Sequence, residues 1–588
     1  MKWMVILMTN KMFSKSLFIS NIKRYWIIPF VVTIIIFLSI PFSIMLQDET
    51  DSYNTEYIKE LAHYLNDENV STMADNYGEL SIEEKLFSFI NPIILLIFPV
   101  IISIQIFKYL QKNKSATFIH GLPLNKKQIY ITNLLCGVVL LVIPYIINFI
   151  VLLVIKPFSE IGEYILISTL IKWLTTNIFF SIIVYVFSNF AGILAGTGFA
   201  HGFITYAFMY LPMFFVSILE SFVAKLIYGF SGFPDYITNF ISQIPFVKMF
   251  TIFVYNSEEK SYLSGLNISY VLTIIAVLIV FIILTYILYK KRKLERAGEF
   301  SVFIIVKEIL KYLATFLVMA ISYLYCSVFI QNNIILLILS LIFAGIAYFI
   351  SEVIMRKTYK VLNTFGGFVI YAVIAIILNV ILINNAFGYE TYMPNIDEIQ
   401  YAQASFYNLE DEITYEQKEN IQTILDLQKN LVDNKTTEDK SRTISIKYTL
   451  KNGKEINRKY NTSSDNEFIE KLEKSNEFIE KEYSYLFNEQ EVEKISSISL
   501  YGSYEDIETI NITVNKDDEN FNEVLQALKD DITKLGVHIN SNQSMTYGFL
   551  YATVSFDDDT NEENIYYNYL EDNCEIIKLL KNELIQTE

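Results

Sequence analysis

The chain has 588 residues, of which 53% are hydrophobic and only 19% are charged, and its mean hydropathy is +0.35. This composition excludes an ordinary soluble protein of that length. The apolar residues fall into blocks of about 20, enough to cross about 30 Å of hydrocarbon. The blocks stop at Tyr389. The net charge of −17 divides into about −23 for residues 389–588 and about +6 for the rest, and this acidic excess argues against nucleic-acid binding.

The first residues form a basic segment. The run "MKWMVIL" is apolar but too short for the core of a signal peptide, and no cleavage-like site follows it. Met8 and Met12 are alternative starts. Residues 1–24 are basic and partly amphipathic, which is typical of a helix that lies at the membrane surface.

Nine apolar blocks have the length of a transmembrane helix. The fifth is long, and Pro212 within it favours a kink or an end. We therefore predict an α-helical polytopic membrane protein with about nine transmembrane helices. The predicted spans are approximately 25–46, 88–110, 129–154, 164–187, 190–222, 268–289, 305–329, 333–354 and 367–387.

Lysine and arginine residues mark alternate connections between these blocks. They precede the first span, lie between spans two and three, follow span six and precede span nine. The positive-inside rule makes these connections cytoplasmic. The loop 47–87 is acidic and is predicted to lie outside. Nine spans from a cytoplasmic N-terminus then place the C-terminal domain outside the plasma membrane.

Residues 228–256 are aromatic and interrupted by glycine and proline, so we expect them at the outer interface, as a packing lid or as a lip for substrate entry.

This topology predicts four parts of the chain. The predicted parts are the basic N-terminus 1–24, a six-span core 25–290 with external loop 47–87 and cytoplasmic loop 111–128, three additional spans in 291–388, and an extracytoplasmic α+β domain 389–588.

The C-terminal domain shows both strand and helix patterns. Apolar and polar residues alternate on both sides of Asn452-Gly453, which predicts a hairpin. Ser464-x-x-Glu467 has the pattern of a capping box and predicts the start of a helix. Helical periodicity marks 419–432 and 522–535, and strands are predicted at 495–502, 509–515 and 547–556. A strand-pair-then-helix order recurs weakly, without establishing a repeat.

Catalytic and cofactor motifs are absent from the sequence. It contains no phosphate-binding loop, no H-E-x-x-H and no G-x-S-x-G, and its four histidines are dispersed. The three cysteines, Cys136, Cys326 and Cys574, suggest buried apolar residues, and not a disulfide framework or a metal site. We therefore predict no catalytic, cofactor-binding or metal-binding residues, and a chain that is not an enzyme.

Four glycines in the stretch "AGILAGTGFAHG" give overlapping G-x-x-x-G spacings within the predicted fifth span. Small residues let transmembrane helices approach closely, so we predict a helix-packing role, inside the subunit or at a seam that shifts between subunits. His201 lies beside them and is interpreted as a packing residue, with a proton carrier as the alternative. The glycines are Gly192, Gly196, Gly198 and Gly202.

The loop 111–128 is unusual for a connection between spans. Gly121 and Pro123 interrupt regular structure, and Asn125 is a suitable cap for a new helix. Several apolar residues lie beside lysines, and a loop that exposes such residues normally docks on something. The alternative is a turn anchored at the interface, with the lysines obeying only the positive-inside rule. The predicted docking residues are Phe118, His120, Gly121, Leu122, Pro123, Leu124, Lys126 and Lys127.

This loop resembles that of ABC-2-type permeases, in which a Leu-Pro motif follows the second span and a short coupling helix meets a partner ATPase. The matching residues run from Thr117 to Gln128, with His120-Gly121 where the family more often has serine before Leu-Pro. The segments 293–300 and 415–435 are similar to parts of a longer Gram-positive subgroup, the Ytr-type exporter permeases, which add spans and an external C-terminal domain.

The resemblance implies the membrane subunit of an ATP-driven ABC transporter. Its expected partners are a separate ATPase subunit, a second permease subunit and membrane lipid, and its expected cargo is an exported drug, peptide or lipid-like compound. Two other hypotheses remain open at this point. One is a non-transporting sensor or self-protection protein whose external domain binds an antimicrobial compound. The other is a membrane enzyme, which the lack of a catalytic polar cluster disfavours.

Overall fold

The computed structural model describes most of the chain. The apolar start "MKWMVIL", most of the predicted external loop and the three consecutive aspartates at 557–559 lie outside the described residues. The described ranges are 12–46, 79–88, 90–159, 162–256, 262–263, 266–405, 413–434, 442–462, 466–504, 507–535, 548–556, 562–567 and 574–582.

The part before residue 389 is built from helices. Several begin at side-chain caps: Asn267 accepts a hydrogen bond from the N–H of Tyr270, and Asn332 accepts from the two residues that follow Asn333. The helices are α1 (Lys15–Tyr25), α2 (Ile27–Ser39), α3 (Ile90–Phe107), α4 (Asn113–His120), α5 (Lys126–Ile155), α6 (Ile167–Leu194), α7 (Gly198–Leu226), α8 (Asp235–Ser242), α9 (Pro245–Thr251), α10 (Ile268–Lys291), α11 (Ile304–Cys326), α12 (Asn333–Arg356) and α13 (Phe365–Ile383).

Within the described ranges, eight helical stretches are long and apolar enough to cross a membrane. They match eight of the nine predicted blocks. The chain is therefore a helical membrane protein with a sheet-containing C-terminal part. The stretches are Ile27–Leu46, Glu79–Gln111, Lys126–Phe158, Ile167–Leu194, Gly198–Leu226, Ile268–Lys291, Asn333–Arg356 and Leu362–Ile383.

The predicted seventh span forms α11, which is not among those eight. Its first turns carry Lys307, Glu308 and Lys311. Lys311 is buried and forms an ion pair with the buried Glu352 of α12, with 2.9 Å between Nζ and Oε1. Near the other end of α11, the hydroxyl of Tyr323 donates to Asn333 Oδ1 at 3.4 Å. The two helices therefore pack antiparallel along their length.

Two predicted boundaries are wrong. Spans four and five meet at Ala195–Thr197, and not near residue 189, because α6 continues to Leu194 and α7 begins only at Gly198. Residues 79–87, predicted as part of an external loop, begin the second helical stretch, since the apolar side chains of Ile82, Leu86 and Phe87 are buried in the helical core.

By its internal contacts the chain divides into two compact units. The first comprises Met1–Phe222 and Phe233–Ile376. The second comprises Val223–Gly232 and Ile377–Glu588. The short segment 223–232, which lies between α7 and α8 in the chain, therefore belongs with the C-terminal residues.

Specific contacts hold this segment in the second unit. The N–H of Tyr228 donates to Glu390 Oε1 at 2.7 Å, and the N–H of Lys459 donates to the carbonyl of Gly229 at 3.3 Å. Gly229 has φ +78°, and a Cβ there would lie 2.5 Å from the ring of Tyr460. Only glycine meets both conditions without strain.

The C-terminal part contains two four-stranded antiparallel sheets, ordered β2-β1-β3-β4 and β6-β5-β7-β8. Each sheet is made by two strands, a helix and two more strands, so the second half repeats the architecture of the first. The elements are β1 (Ile399–Ser405), β2 (Ile413–Tyr415), α14 (Lys418–Asp433), β3 (Arg442–Leu450), β4 (Glu455–Thr462), α15 (Glu467–Glu473), α16 (Asn476–Glu482), α17 (Ser484–Phe487), α18 (Glu489–Val492), β5 (Ile495–Tyr504), β6 (Ile507–Asn515), α19 (Phe521–Leu535), β7 (Gly548–Phe556), β8 (Glu562–Tyr567) and α20 (Glu575–Asn582).

The two long helices of this repeat bury equivalent positions. α14 buries Ile421, Ile424, Leu425, Leu427, Gln428, Leu431 and Val432. In α19 the buried positions come 100 residues later, at Phe521, Val524, Leu525, Ala527, Leu528, Asp531 and Ile532. Residues of both halves share one hydrophobic core, so the halves form a single domain.

The predicted strands and helices of this domain are confirmed, with one exception. The hairpin turns at Asn452-Gly453, where Gly453 has φ +79°. The helix predicted to open at Ser464 is instead two short helices, capped by Asn466 and Ser475. Asn466 displaces the predicted cap because its side chain accepts the N–H of Phe468, and Ser464 lies outside the described residues.

The buried Asp531 provides a test of this domain. Its carboxylate accepts the N–H groups of Glu575 and Ile576 at 2.6 and 3.1 Å and so caps the first turn of α20. We expect Asp531→Asn to destabilise the domain by about 2 kcal/mol, because the charge that these donors bind is lost. The measurement is thermal unfolding of the full-length chain in detergent.

Asp530→Asn is the matched control. Among the described residues, Asp530 accepts a hydrogen bond only from the exposed Gln526, at 2.9 Å, so we expect a change within about 0.5 kcal/mol. Equal shifts of the unfolding temperature for the two variants would contradict the capping role of Asp531.

Candidate functional site: a surface around α4

The predicted docking loop folds into the short helix α4, a turn over Gly121–Leu124 and the start of α5. The N–H of Gly121 donates to the carbonyls of Thr117 and Phe118, which closes α4. Asn125 then caps α5 in a capping box, in which its N–H donates to Gln128 Oε1 at 2.9 Å. The predicted cap at Asn125 is therefore confirmed, and the loop is an ordered structure.

Apolar side chains stand out from this loop. Phe118 is 69% exposed, and Ile119, Leu122 and Leu124 are half-buried. Phe118 and Leu122 form a ridge between two hollows, of about 610 and 640 Å³. Exposed apolar residues arranged in this way are typical of a surface that binds a partner.

The N-terminal segment forms the second wall of the larger hollow, which is lined by Phe13, Lys15 and Leu17 opposite Leu124. This wall is fixed to α5. The N–H of Ser14 donates to Thr132 Oγ1 at 3.0 Å, and Asn21 Nδ2 donates to Asn133 Oδ1 at 2.8 Å. The basic N-terminus thus contributes to the surface, which the sequence alone did not indicate.

The other predicted residues of the loop differ in exposure, and His120 differs from the rest in facing inward. Pro123, Lys126 and Lys127 are exposed, and Lys126 Nζ donates to the carbonyl of Lys290 at 3.3 Å, near the end of α10. His120 faces inward, with Nε2 3.5 Å from the hydroxyl of Tyr289. Burial, with the charges of Lys126 and Arg292, lowers the pKa of His120, so its imidazole is neutral at pH 7.

Arg292, which sequence analysis missed, connects the loop to two other segments. Its guanidinium is buried and donates to the carbonyls of Gly192 and Ile193, in the last turn of α6. It also donates to the carbonyl of Leu110 at 2.9 Å, just before α4. A cation at this position satisfies the last carbonyls of α6 and interacts favourably with the negative end of the helix dipole. The only signal in the sequence is the lone arginine within "KKRK".

Gly196 lies in a backbone bridge. Ala195 pairs with Ser301, the N–H of Gly298 donates to the carbonyl of Gly196 at 2.7 Å, and that of Val302 donates to the carbonyl of Leu194 at 2.9 Å. A Cβ on Gly196 would lie 2.2 Å from the carbonyl oxygen of Glu299. The residues that follow α10 are therefore fixed to the connection between α6 and α7.

The four glycines do not lie on one helix, as the predicted fifth span required. Gly192 is in the last turn of α6, and Gly196 is in the connection. Gly198 and Gly202 are in the first turns of α7. The G-x-x-x-G spacing therefore runs across a break between two helices, because glycine spacing alone carries no information on where a helix ends.

His201, in the first turns of α7, is fully buried, and its ring lies against α6. Its Nε2 donates to the carbonyl of Ser188 at 2.8 Å, and its Nδ1 accepts from Gln111 Nε2 at 3.2 Å. A Cβ on Gly192 would lie 2.4 Å from the imidazole, so that glycine leaves room for the ring. Both ring nitrogens are engaged, which favours the packing interpretation of His201 over a proton carrier.

The described residues contain no group of three or more histidine, cysteine or acidic side chains that could hold a metal ion. Comparison with family models, with curated proteins and with solved structures gives no match. The surface around α4 is therefore interpreted from its own geometry.

The glycines offer a direct test of the bridge. We expect Gly196→Ala to destabilise the chain by about 2 kcal/mol or more, because the added methyl group would collide with the backbone at Glu299. Thermal unfolding of the purified protein in detergent measures the effect.

Gly202→Ala is the control, since the nearest atom to its Cβ is 3.6 Å away, an ordinary contact. We expect a change of less than about 1 kcal/mol. If Gly202→Ala were as damaging as Gly196→Ala, the four glycines would act as one packing seam, and the bridge would not explain Gly196.

Proposed function

We propose that this chain is the membrane-spanning subunit of an ATP-driven transporter, powered by a separate ATPase that binds the surface around α4. The observation that carries the proposal is the apolar ridge of the exposed Phe118 and the half-buried Leu122, on an ordered loop outside the apolar stretches. Removing such side chains from water contributes about 25 cal/mol per Å² of apolar surface, which offsets the entropic cost of association. Lysines beside the ridge complement an acidic rim on the partner.

The connections of the loop support a role in transmitting force. Arg292 links Leu110, at the start of the loop, to the end of α6, and the Gly196 bridge links that same end to the residues before α11. A partner that displaces α4 therefore moves helix ends in three places. Rigid-body motion of membrane helices is a common basis of alternating access. A second copy or a related permease subunit, and export of a drug, peptide or lipid-like compound, belong to the same proposal.

The antiparallel pairing of α11 with α12 bears on the topology. α12 has the length and composition of a membrane span, and α11 lies beside it from Lys311 to Tyr323. A helix paired along a span crosses the same thickness, and the charge of Lys311 is compensated by Glu352. We propose that α11 also crosses, which gives nine spans, a cytoplasmic N-terminus and a C-terminal domain outside the plasma membrane.

The topology is tested by cysteine labelling in intact cells. In a variant whose three native cysteines are replaced by alanine, Asn457→Cys should react with a membrane-impermeant maleimide. Lys112→Cys should react only after permeabilisation. Both positions are exposed. Protection of both in intact cells would mean an even number of spans and would contradict the proposed topology.

Docking is tested by co-purification from the native host. We expect the double variant Phe118→Asp/Leu122→Asp to retain at least about tenfold less ATPase subunit than the unchanged chain, because two apolar contacts become charged. Phe158→Asp is the matched control, since Phe158 is 84% exposed just beyond the opposite end of α5.

Two outcomes contradict the proposal in different ways. Retention of the ATPase by the double variant would refute the docking surface while leaving the transporter assignment intact. Absence of any ATPase from the unchanged chain, together with no ATP-dependent transport in vesicles from the native host, would refute the transporter assignment.

A further inference from the structure

Each sheet of the C-terminal domain has two edge strands, and three of these four edges are protected. A long exposed edge pairs readily with other chains, so folded proteins shorten, cover or charge their edge strands. β2 has only three residues and packs against α16, where Glu477 accepts the next two backbone N–H groups. β4 pairs with the segment 223–232. β8 has six residues, which include Glu562 and Glu563.

The fourth edge is β6, which has nine residues and within the described ranges pairs only with β5. Its residues 509–515 read "TINITVN" and include no charged residue. Ile510 and Val514 are buried in the core. Asn511 and Thr513 are exposed on the opposite face. β-branched residues in such an alternation favour strand pairing, so β6 is an edge able to accept another strand.

The outer side of β6 presents backbone hydrogen-bonding groups at Asn511 and Thr513. The N–H of Lys516 donates to the carbonyl of Ser496 on β5 at 2.9 Å, which fixes the alternation of the ladder. Residues two, four and six positions before Lys516 therefore also face β5. The N–H and C=O groups of Asn511 and Thr513 must then point away from β5. At Asn515 the outward N–H is already used within the chain.

These outward groups are complementary to the same groups on a second copy of the chain. In a two-fold antiparallel pair, Asn511 of each copy lies opposite Thr513 of the other, which gives four backbone hydrogen bonds. On the core side, the half-buried Ile512 lies opposite its own counterpart. The glutamate at position 508 and the lysine at position 516 also come opposite each other. The edge is therefore self-complementary.

This self-complementarity identifies the occupant of the edge. Any extended peptide would gain the same backbone hydrogen bonds, but a second copy also supplies the matching apolar residue and the matching charges. Two subunits anchored in one membrane meet at a high effective concentration, so a single strand pair adds usefully to the contacts between them.

We propose that β6 pairs with β6 of a second copy of this chain, which joins the two second sheets into one sheet of eight strands. The inference rests on the part of the proposed function that brings two subunits together. It names the second subunit as another copy of the same chain.

The pairing is tested by disulfide cross-linking of the full-length chain in membranes of the native host, with the three native cysteines replaced by alanine. In the proposed register, Ile512→Cys lies opposite itself with about 4.5 Å between the Cα atoms, which a disulfide can bridge. We expect an oxidant to convert about half or more of this variant into a covalent dimer. Asn457→Cys, exposed on the β4 edge, is the control for random collisions and should give less than about a tenth of that yield.

A second cross-link removes the dependence on the half-buried Ile512. Asn511→Cys in one tagged copy and Thr513→Cys in another lie directly opposite each other in the proposed register, about 5.5 Å apart at Cα. Both residues are exposed. We expect co-expression of the two variants to give a mixed dimer that carries both tags.

Two double variants, each added to Ile512→Cys, separate pairing from folding. Asn511→Lys/Thr513→Lys places like charges opposite each other in both pairs, so the dimer yield should fall at least about fivefold. Asn511→Lys/Thr513→Glu places opposite charges there and should retain the yield. Both variants change the same exposed positions, and we expect equal thermal unfolding temperatures for the two.

Absence of both cross-links would overturn the proposal, and so would equal dimer yields from the two double variants. These results are separate from those of the ATPase tests. A chain that retains its ATPase but forms neither cross-link would refute the β6 pairing alone. A chain that forms both cross-links but fails the ATPase and transport tests would support the pairing and refute the transporter assignment.

Discussion

One buried guanidinium determines how the connections around α4 are arranged. Arg292 leaves water almost completely, and its N–H groups then require acceptors inside the protein. Its two terminal nitrogens find them on Leu110, Gly192 and Ile193, in two segments far from it in sequence. The end of α6, the start of the α4 loop and the residues after α10 must therefore meet at this point. The exposed ridge on α4 stands on that junction.

Hydropathy and turn chemistry were sufficient for much of the fold. The spans could be predicted because hydrocarbon thickness sets their length, and the hairpin at Asn452-Gly453 because few residues accept a positive φ. Phe118 of the α4 loop could likewise be identified as exposed. These features are local, so the sequence around each residue is enough to recognise them.

Long-range contacts could not be predicted in the same way. Gly196 and Gly202 look equivalent in sequence, yet one lies against the backbone of Glu299 and the other makes an ordinary contact. Arg292 sits in a basic run that the positive-inside rule already explains. The repeat in the C-terminal domain was only suggested, because α14 and α19 share the spacing of their buried positions more than the identities of the residues.

The two halves of that domain have the same topology but different surfaces. β4 in the first half accepts the segment 223–232, whose backbone meets Lys459 and whose Gly229 fits against Tyr460. At outward positions the first half has Lys447 on β3, whereas the equivalent strand β7 of the second half has Tyr551, Thr553 and Ser555. One topology thus carries different side chains in the two sheets.

The position of segment 223–232 also has a consequence for biosynthesis. Gly229 leaves the ribosome 230 residues before Lys459, its hydrogen-bond partner on β4. At about 5–20 residues per second, that interval is roughly 10 to 50 s. The end of α7 therefore reaches its final environment only after α8 to α13 and most of the first sheet have been synthesised. Completion of the C-terminal domain is a late event in folding, and it fixes a segment that was made early.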